Sequence, residues 1–400
     1  MANMISGGLR GLLDERQVDT PVARVVRALS GHGAVSAAQI ARTTGLARST
    51  VSTILADLRR SSLVVEVETR SPGLGRPALA HSLNPEAGTC LGVLLGRNEL
   101  RVVLADVAHN IVADVAIPLE RDYKPEKATR TAKQTIDNIY KEHSLPYSGL
   151  LGVGFAVSAP IASSGRIMRG SQLPGWQGVD LRATFEPVLQ KPIFADNESN
   201  CAALAEMMWG AAAGFENFVL FKLDLGIGGA IVANGKVLTG AAGTAGEFGH
   251  MVLDPRGDLC TCGNRGCMEL SCSGAAVLGI AERRLARSLG MAEFVKMAQA
   301  GDLGFQRLLE DAGEAAGRGL ATVGTILNPG LFVISGGMAT AGEMLLAPIR
   351  AAYNRHTLVK AGDGEGANPA FVTGRFLDND NCMGAVGLVL RHHGRLTRAV

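Results

Sequence analysis

The most constraining stretch of this sequence is a cluster of cysteines and glycines between residues 246 and 269. Cys260, Cys262 and Cys267 lie within eight residues of one another, and His250 precedes them. Three thiolates and one imidazole are the number and type of ligands that fill a tetrahedral zinc site. A bound metal would cross-link this segment into a compact loop, and the chain must then direct all four side chains to one point. The alternative is a group of reduced, buried thiols that hold no metal.

Two carboxylates, Glu247 and Glu269, flank this cluster. A metal knot would hold them in fixed positions, as a binding site for a hydroxyl-rich ligand requires. Protein side chains fill all four predicted metal positions, which favours a structural zinc over a catalytic one. The other interpretation is that both carboxylates only orient the metal loop and bind nothing.

The length of 400 residues predicts two or three domains with sizeable cores. With 47% hydrophobic and 19% charged residues, the composition is typical of a globular protein. No apolar run is long enough to span a membrane, and the N-terminus lacks a signal-peptide pattern. The odd count of 7 cysteines argues against a disulfide framework, so we expect a reducing, cytoplasmic location and no membrane partner.

The net charge of +2 is unevenly distributed along the chain. Residues 1–85 contain ten arginines and no lysine against six acidic residues, so this segment carries +4 and the remainder carries −2. An excess of arginine in one small segment favours an anionic partner such as DNA.

Three helices are predicted in this basic segment. Apolar residues recur at helical spacing over residues 21–29, a shorter helix is expected over 36–42, and a third over 49–60. The short turn at 43–46 contains a glycine, so the last two helices form a helix-turn-helix unit. Residues 1–19 have no clear assignment.

A strand over 63–69, a turn over 71–77 and a returning strand over 78–83 add a wing to this unit. Short polar and guanidinium side chains begin the third helix, where such proteins contact base edges and phosphates. The alternative is a small three-helix module that binds no nucleic acid. The candidate DNA-binding residues are Arg42, Arg48, Ser49, Thr50, Ser52, Thr53, Arg59, Arg60 and Arg76.

The remainder of the chain repeats one pattern of elements. Residues 90–119 and residues 218–238 each predict three consecutive strands, and each set is followed by helices. The repetition lies in the pattern and not in the letters, and it predicts two similar lobes around a cleft. The predicted domains are 1–85 for the winged helix, 89–197 with 380–400 for a small lobe, and 198–379 for a large lobe that carries the metal site.

The segments Gly-Glu-Phe-Gly-His from residue 246 and Cys-Thr-Cys-Gly-Asn-Arg-Gly-Cys-Met-Glu from residue 260 resemble the ROK family of repressors and sugar kinases. The resemblance covers nearly the whole chain and implies an α/β fold, in which an N-terminal winged helix-turn-helix precedes a two-lobed, actin-like domain of the sugar-kinase and ribonuclease H type. It assigns family zinc ligands to His250, Cys260, Cys262 and Cys267. It also assigns sugar contacts to Asn197, Glu247, His250 and Glu269.

Four departures from the family pattern bear on catalysis. The first phosphate loop, Asp-Ile-Gly-Gly-Thr in kinases of the family, is Leu-Leu-Gly-Arg-Asn at 94–98, and leucine cannot hold a hydrated magnesium ion. The second, Gly-Thr-Gly in the family, is Asp-Leu-Gly at 224–226. Glu198 stands where the family has its catalytic aspartate, and Gln172 replaces an asparagine. We therefore expect no ATP site and no catalytic residues, and we include Gln172 and Glu198 among the sugar-binding candidates.

The sequence thus predicts a sugar-responsive transcriptional regulator, expected to be a repressor of carbohydrate-utilisation genes. Its expected partners are a double-stranded operator with an inverted repeat, a monosaccharide or related effector, and further copies of itself, with structural Zn²⁺ as the cofactor. Two rivals stay open: a glucokinase-like sugar kinase that kept a DNA-binding domain, and a DNA-binding protein whose effector is another protein or a phosphosugar. The identity of the sugar, the direction of its effect, the operator sequence and the choice between dimer and tetramer also stay open.

Overall fold

The computed structural model describes Leu9 and residues 20–69, 78–162, 164–168, 173–358, 369–377 and 379–392. The chain divides into two compact units, which are Met1–Cys201 with Asn381–Val400, and Ala202–Asp380. Each unit contains one five-stranded sheet, and the first also contains the N-terminal helices. In the described part of the chain, no helix is both long enough and apolar enough to cross a membrane.

The N-terminal part of the first unit is a winged helix, as predicted. Thr20 and Ser36 begin the first two helices by accepting the N–H groups of Ala23 and Gln39, and Gly45 ends the second helix with a φ of 69°. The two wing strands pair antiparallel. In chain order the elements are α1 (Pro21–His32), α2 (Ala37–Thr44), α3 (Arg48–Arg60), β1 (Val64–Thr69) and β2 (Ala78–Leu83).

The first sheet begins with an antiparallel meander of three strands, to which two further strands add in parallel. The strand order is β5-β4-β3-β6-β7. Two helices cover one face, with Phe155, Phe185 and Trp176 in the core between them. The elements are β3 (Thr89–Leu95), β4 (Glu99–Asp106), β5 (Ile111–Pro118), α4 (Pro125–Glu142), β6 (Leu150–Val157), α5 (Leu181–Leu189) and β7 (Ile193–Asn197).

The second sheet has the same topology as the first. Its order is β10-β9-β8-β11-β12, again an antiparallel meander of three strands extended by two parallel ones. The predicted repetition of strand patterns is therefore present. The elements are α6 (Glu198–Trp209), β8 (Phe218–Leu223), β9 (Ile227–Ala233), β10 (Lys236–Leu238), α7 (Met268–Cys272), α8 (Gly274–Leu285), α9 (Met291–Gln299), α10 (Leu303–Leu327), β11 (Leu331–Ser335), α11 (Glu343–His356), β12 (Ala370–Thr373) and α12 (Asp380–His392).

Glycines let helices approach their neighbours closely in both units. At Gly154 on β6, a Cβ atom would lie 1.9 Å from the carbonyl oxygen of Ala385 on α12. At Gly317 on α10, a Cβ atom would lie 2.3 Å from the carbonyl oxygen of Ile349 on α11. Both contacts are between backbones, so a side chain at either position would force the two elements apart.

One helix is shorter than its apolar sequence suggests. Helix α8 ends at Leu285, because Ala286 adopts a left-handed conformation with a φ of 53°. Three elements, α5, α7 and β12, were not expected from the sequence. Helix α5 buries Leu181, Phe185 and Leu189 at helical spacing, but it contains Pro187, a residue that usually interrupts a helix. The other two elements are only five and four residues long, which is too short to show a hydrophobic period.

Candidate metal centre and nucleic-acid interface

The cysteine-rich loop connects the second sheet to α7. A short 3₁₀ turn, Phe248–His250, begins it, and two isolated bridges, Val252 with Cys267 and Leu259 with Arg265, hold its ends together. Gly266 has a φ of 61°, and a Cβ atom there would lie 1.6 Å from the carbonyl oxygen of Asp254. Only glycine fits this crossing, so the loop can fold back tightly on itself.

The loop brings the four predicted metal ligands together. The ligand atoms of His250, Cys260, Cys262 and Cys267 all lie within 4.8 Å of one another. The Nδ1 atom of His250 is 3.8 Å from the sulfur of Cys260, and the sulfurs of Cys262 and Cys267 are 3.6 Å apart. A tetrahedral zinc with Zn–S bonds of about 2.3 Å has sulfur–sulfur edges of about 3.8 Å, so the donor set and its spacing fit a metal ion.

The thiols of this cluster differ in acidity. Burial raises the pKa of Cys260, but hydrogen bonds from the backbone N–H of Cys262 and from His250 outweigh it and lower the pKa to about 7. Burial and the neighbouring sulfurs raise the pKa of Cys267 to about 12. A cluster of thiols that cannot all ionise together is the situation that a cation relieves, since metal binding replaces the protons.

The same loop positions the candidate sugar-binding carboxylates of the second unit. Glu269 follows Cys267 by two residues, and its Oε2 atom accepts the backbone N–H of Ile227 at 2.8 Å. Glu247 lies at the start of the 3₁₀ turn that contains His250, and all three side chains are half-buried. The loop therefore holds two carboxylates and one imidazole in place at the edge of β9.

The remaining sugar-binding candidates lie in the first unit or outside the described residues. The Oδ1 atom of Asn197 accepts the N–H of Ser199 at 2.8 Å, and its amide donates to the carbonyl of Ala159 at 3.1 Å. The carboxylate of Glu198 accepts the side-chain amide of Asn381 at 3.3 Å. Gln172 lies outside the described residues. The sugar-binding role of these three residues stays a prediction.

Asp196 is a half-buried acid beside these candidates, and it is not among the residues predicted from the sequence. Burial raises the pKa of its carboxyl group, against the hydrogen bonds from the amide of Asn200 and the backbone of Asn197 that lower it. Its position at the carboxyl end of β7, directly before two site candidates, is the sequence signal that could have identified it.

Each of the two loops predicted to replace the family's phosphate loops has backbone groups that are hydrogen-bonded within the chain. The N–H of Gly96 donates to the carbonyl of Glu99 at 3.0 Å, and the hydroxyl of Tyr123 donates to the carbonyl of Gly96 at 2.8 Å. In the second loop, the Oδ1 atom of Asp224 accepts the N–H of Leu225 at 2.9 Å. A carboxylate therefore takes a donor that a phosphate-binding loop would offer to its ligand.

The third helix of the winged helix presents its polar residues on one face. Arg48, Ser49, Ser52 and Thr53 are exposed, whereas the opposite face is buried. The hydroxyls of Ser52 and Thr53 donate to backbone carbonyls four residues earlier, which leaves their oxygen lone pairs for an incoming group. Ala47 precedes α3, and no side chain caps the N-terminus of this helix.

The other predicted DNA contacts differ in their surroundings. Arg42 is exposed near the end of α2, and Thr50 is half-buried. Arg59 forms an ion pair with Glu66, and Arg60 forms one with Asp57. Arg76 lies outside the described residues. The exposed, polar N-terminal half of α3 is thus the best formed part of the predicted interface, and the assignment of individual contacts stays a prediction.

Comparison with known proteins gives consistent matches. The ROK family model matches residues 90–392, and the MarR family model matches residues 17–76. The chain is 27% identical over 358 residues to the xylose repressor of Bacillus subtilis, an alignment that covers 90% of this chain and 91% of the repressor. It is 30% identical over 289 residues to a glucokinase of Halalkalibacterium halodurans, which covers 68% of this chain and 88% of that enzyme.

A solved structure described as a ROK family transcriptional regulator, homologous to the MLC protein of E. coli, has a TM-score of 0.73. It shares 20% identity and covers 92% of this chain and 97% of that chain, so it supports the fold. The family match spans most of the chain, including both sheets and the cysteine-rich loop. This chain therefore belongs to the ROK family, and a winged helix of the MarR type precedes its two-lobed, actin-like domain.

Proposed function

We propose that this chain is a sugar-responsive, DNA-binding transcriptional regulator, and that it represses genes of carbohydrate use. The observation that carries the proposal is the presence in one chain of an exposed polar face on α3 and a ROK domain. The relative that matches along 90% of the chain is named a xylose repressor. That name supports repression by a protein of this organisation, and the sugar of this chain is left to experiment.

DNA recognition is assigned to the N-terminal half of α3. Its guanidinium and hydroxyl groups are suited to base edges and phosphates in the major groove, and its uncapped N-terminus offers backbone N–H groups to a phosphate. Helix-turn-helix proteins read symmetric half-sites as dimers, so the operator is an inverted repeat and the protein is a homo-oligomer.

Zinc is the proposed occupant of the His-Cys₃ cluster, because three sulfurs and one imidazole suit this metal. When bound, zinc supplies a rigid cross-link and the positive charge that stabilises three thiolates. Three side chains of the same loop are proposed to bind the sugar. His250 directs Nδ1 towards Cys260, which leaves Nε2 for a sugar hydroxyl, while Glu247 and Glu269 accept hydrogen bonds from neighbouring hydroxyls.

Phosphoryl transfer is not part of the proposed function. Leu94 is buried where kinases of the family carry an acid, and the Asp224 carboxylate adds negative charge where a phosphate would approach. The rival function, a sugar kinase, is favoured by the similarity to a glucokinase and by Glu198, which keeps a carboxylate where the family has its catalytic aspartate. Members of the family include both kinds of protein, so turnover has to be measured directly.

The deciding experiment is a calorimetric titration of the zinc-loaded protein with xylose, glucose, N-acetylglucosamine and their phosphates, repeated with magnesium-ATP. The expected result is saturable heat from one sugar and no continuing heat when ATP is added. A parallel gel-shift assay with and without that sugar should show a changed affinity for the operator. Continuing heat with ATP would establish a kinase, and absence of heat from every sugar would refute sugar sensing.

A further inference from the structure

The turn between β4 and β5 is held in one conformation by Asp106. The Oδ1 atom of this residue accepts the N–H groups of Ala108 and Asn110, at 2.8 and 3.0 Å. Its Oδ2 atom accepts the side-chain amide of Asn110 at 2.8 Å. At the apex, His109 has a φ of 73°, a region that histidine enters more readily than bulky or branched residues. The turn therefore presents the ring of His109 in a fixed direction.

The ring of His109 packs against the end of α1. It donates a hydrogen bond to the backbone carbonyl of Ser30, a residue that is only 4% exposed. It also lies beside Gly33, where a Cβ atom would be 3.6 Å from Nδ1 of the histidine. Burial lowers the pKa of His109 to about 4, which outweighs the upward effect of the bond to Ser30, so the ring is neutral at pH 7.

The same turn also contacts the segment that joins the winged helix to the first sheet. This segment is a single 3₁₀ turn, Pro85–Ala87, followed by Gly88. The N–H of Val107 donates to the carbonyl of Gly88 at 3.1 Å. The β4–β5 turn is therefore bonded to both the linker and the first helix of the winged helix.

A displacement of α1 would carry α3 with it. The inner face of α1 buries Val25, Val26 and Leu29, and α1 packs against α2, α3 and β2. Because such a small core moves as one body, the contact of His109 with α1 also acts on α3.

We propose that His109 is a positioning residue that fixes the winged helix on the first sheet and transmits the sugar-bound state to the DNA-reading helix. The fixing of the winged helix stands on the contacts alone. The transmission rests on the proposed function, since it requires a sugar that changes DNA affinity. A ligand shifts such an equilibrium only by its differential affinity for the two arrangements.

Hydrogen exchange of the full-length, zinc-loaded protein tests the first half without any sugar. In His109→Ala, the amides at the end of α1, including that of Gly33, should exchange about tenfold faster than in wild type, because the outer support of the helix end is lost. His109→Asn keeps a donor and tolerates a positive φ, so it should restore part of the protection. Equal exchange in wild type and His109→Ala would overturn the proposal.

His143→Ala is the matched control, because His143 is an exposed histidine just after α4 of the same sheet. It should leave the exchange at α1 unchanged. If His143→Ala accelerated that exchange as much as His109→Ala, the effect would come from general loosening of the lobe, and the specific role of His109 would be refuted.

Operator binding with and without the sugar found by calorimetry tests the second half. His109→Ala should keep the sugar affinity of wild type within about twofold. The ratio of its operator affinities with and without the sugar should approach one. An unchanged sugar response, despite faster exchange at α1, would refute transmission and leave only the fixing role. If no sugar altered operator binding by wild type, the proposed function would fail, and hydrogen exchange alone would still decide the fixing role.

Discussion

The two five-stranded sheets share one strand order but differ at their centres. In the first sheet, β3 and β6 are buried along their whole length and carry mostly aliphatic side chains. In the second sheet, Lys222 on β8 forms an ion pair of 3.1 Å with Asp380, and the side chains are only 6% and 1% exposed. Ser335 on β11 donates to the same carboxylate. The topology therefore tolerates an apolar or an ionic centre, and the pattern of strands specifies the fold.

The ionic centre lies in the lobe that also carries the metal loop and one of the two altered phosphate loops. Lys222 lies on β8, and Asp224 follows directly after the end of that strand. Buried ion pairs add little net stability but are costly to break, which makes them fixed points in a structure. The comparison therefore sets an apolar centre in the first unit against a fixed ionic centre in the unit that holds the four candidate metal ligands.

The largest effect should come from the metal loop, which has no counterpart described in the first unit. Cys267→Ser should abolish stoichiometric zinc and lower the melting temperature by more than about 10 °C, because a structural zinc contributes on the order of 10 kcal/mol to the fold of its loop. Metal analysis and calorimetry measure this. The control is Cys272→Ala, a buried cysteine outside the cluster that should retain the metal. Full zinc content in Cys267→Ser would contradict the assignment.

The ionic centre should give the next largest effect. Asp380→Ala should destabilise the protein by about 3–5 kcal/mol, because it leaves the Lys222 ammonium buried without its carboxylate. The double variant Lys222→Met with Asp380→Leu should recover most of that loss. Asp114→Ala breaks a half-buried pair with Arg101 on the first sheet and should cost no more than about 1 kcal/mol. Equal losses in Asp380→Ala and Asp114→Ala, measured by urea unfolding, would remove the distinction between the sheets.

Both units contain closely packed glycines, so replacing one of these glycines should destabilise either unit by a similar amount. Gly154→Ala in the first and Gly317→Ala in the second should each cost about 1–3 kcal/mol or more, because the new Cβ atom meets a carbonyl oxygen. The control is Gly31→Ala in α1, where nothing lies within 4 Å of the added atom. This change should stabilise the helix by up to about 1 kcal/mol. Urea unfolding midpoints that were the same for all three variants would contradict this packing.

The smallest effect concerns pH and the β4–β5 turn. Burial holds the pKa of His109 at about 4, below its ordinary value of 6.5, so the unfolded state binds the proton more readily. Above pH 6.5 the ring is neutral in both states, and the free energy of unfolding is unaffected. As the pH falls towards 4, protonation of the unfolded state lowers the free energy of unfolding. The free energy of unfolding of wild type should therefore drop by up to about 2 kcal/mol more than that of His109→Asn between pH 7 and pH 4.5. Parallel curves for the two proteins would contradict this prediction.

The sequence alone predicted the winged helix, the repeated strands and the metal cluster, because each depends on local spacing. The four metal ligands lie within 18 residues of one loop, so their meeting follows from chain connectivity. The Lys222–Asp380 pair could not be predicted, since 158 residues separate its members and neither stands in a motif. The same holds for His109, whose contact with Ser30 depends on how a hairpin turn packs against a helix.

The uncapped start of α3 limits the stability of this helix in the DNA-free protein. A serine in place of Ala47 would satisfy the first N–H groups of the helix from within the chain and stabilise it by about 1 kcal/mol. The same hydroxyl would compete with a DNA phosphate for those donors. If DNA binds as proposed, alanine at this position leaves those N–H groups for the phosphate, so a weaker helix end in the free protein goes with a stronger contact in the complex.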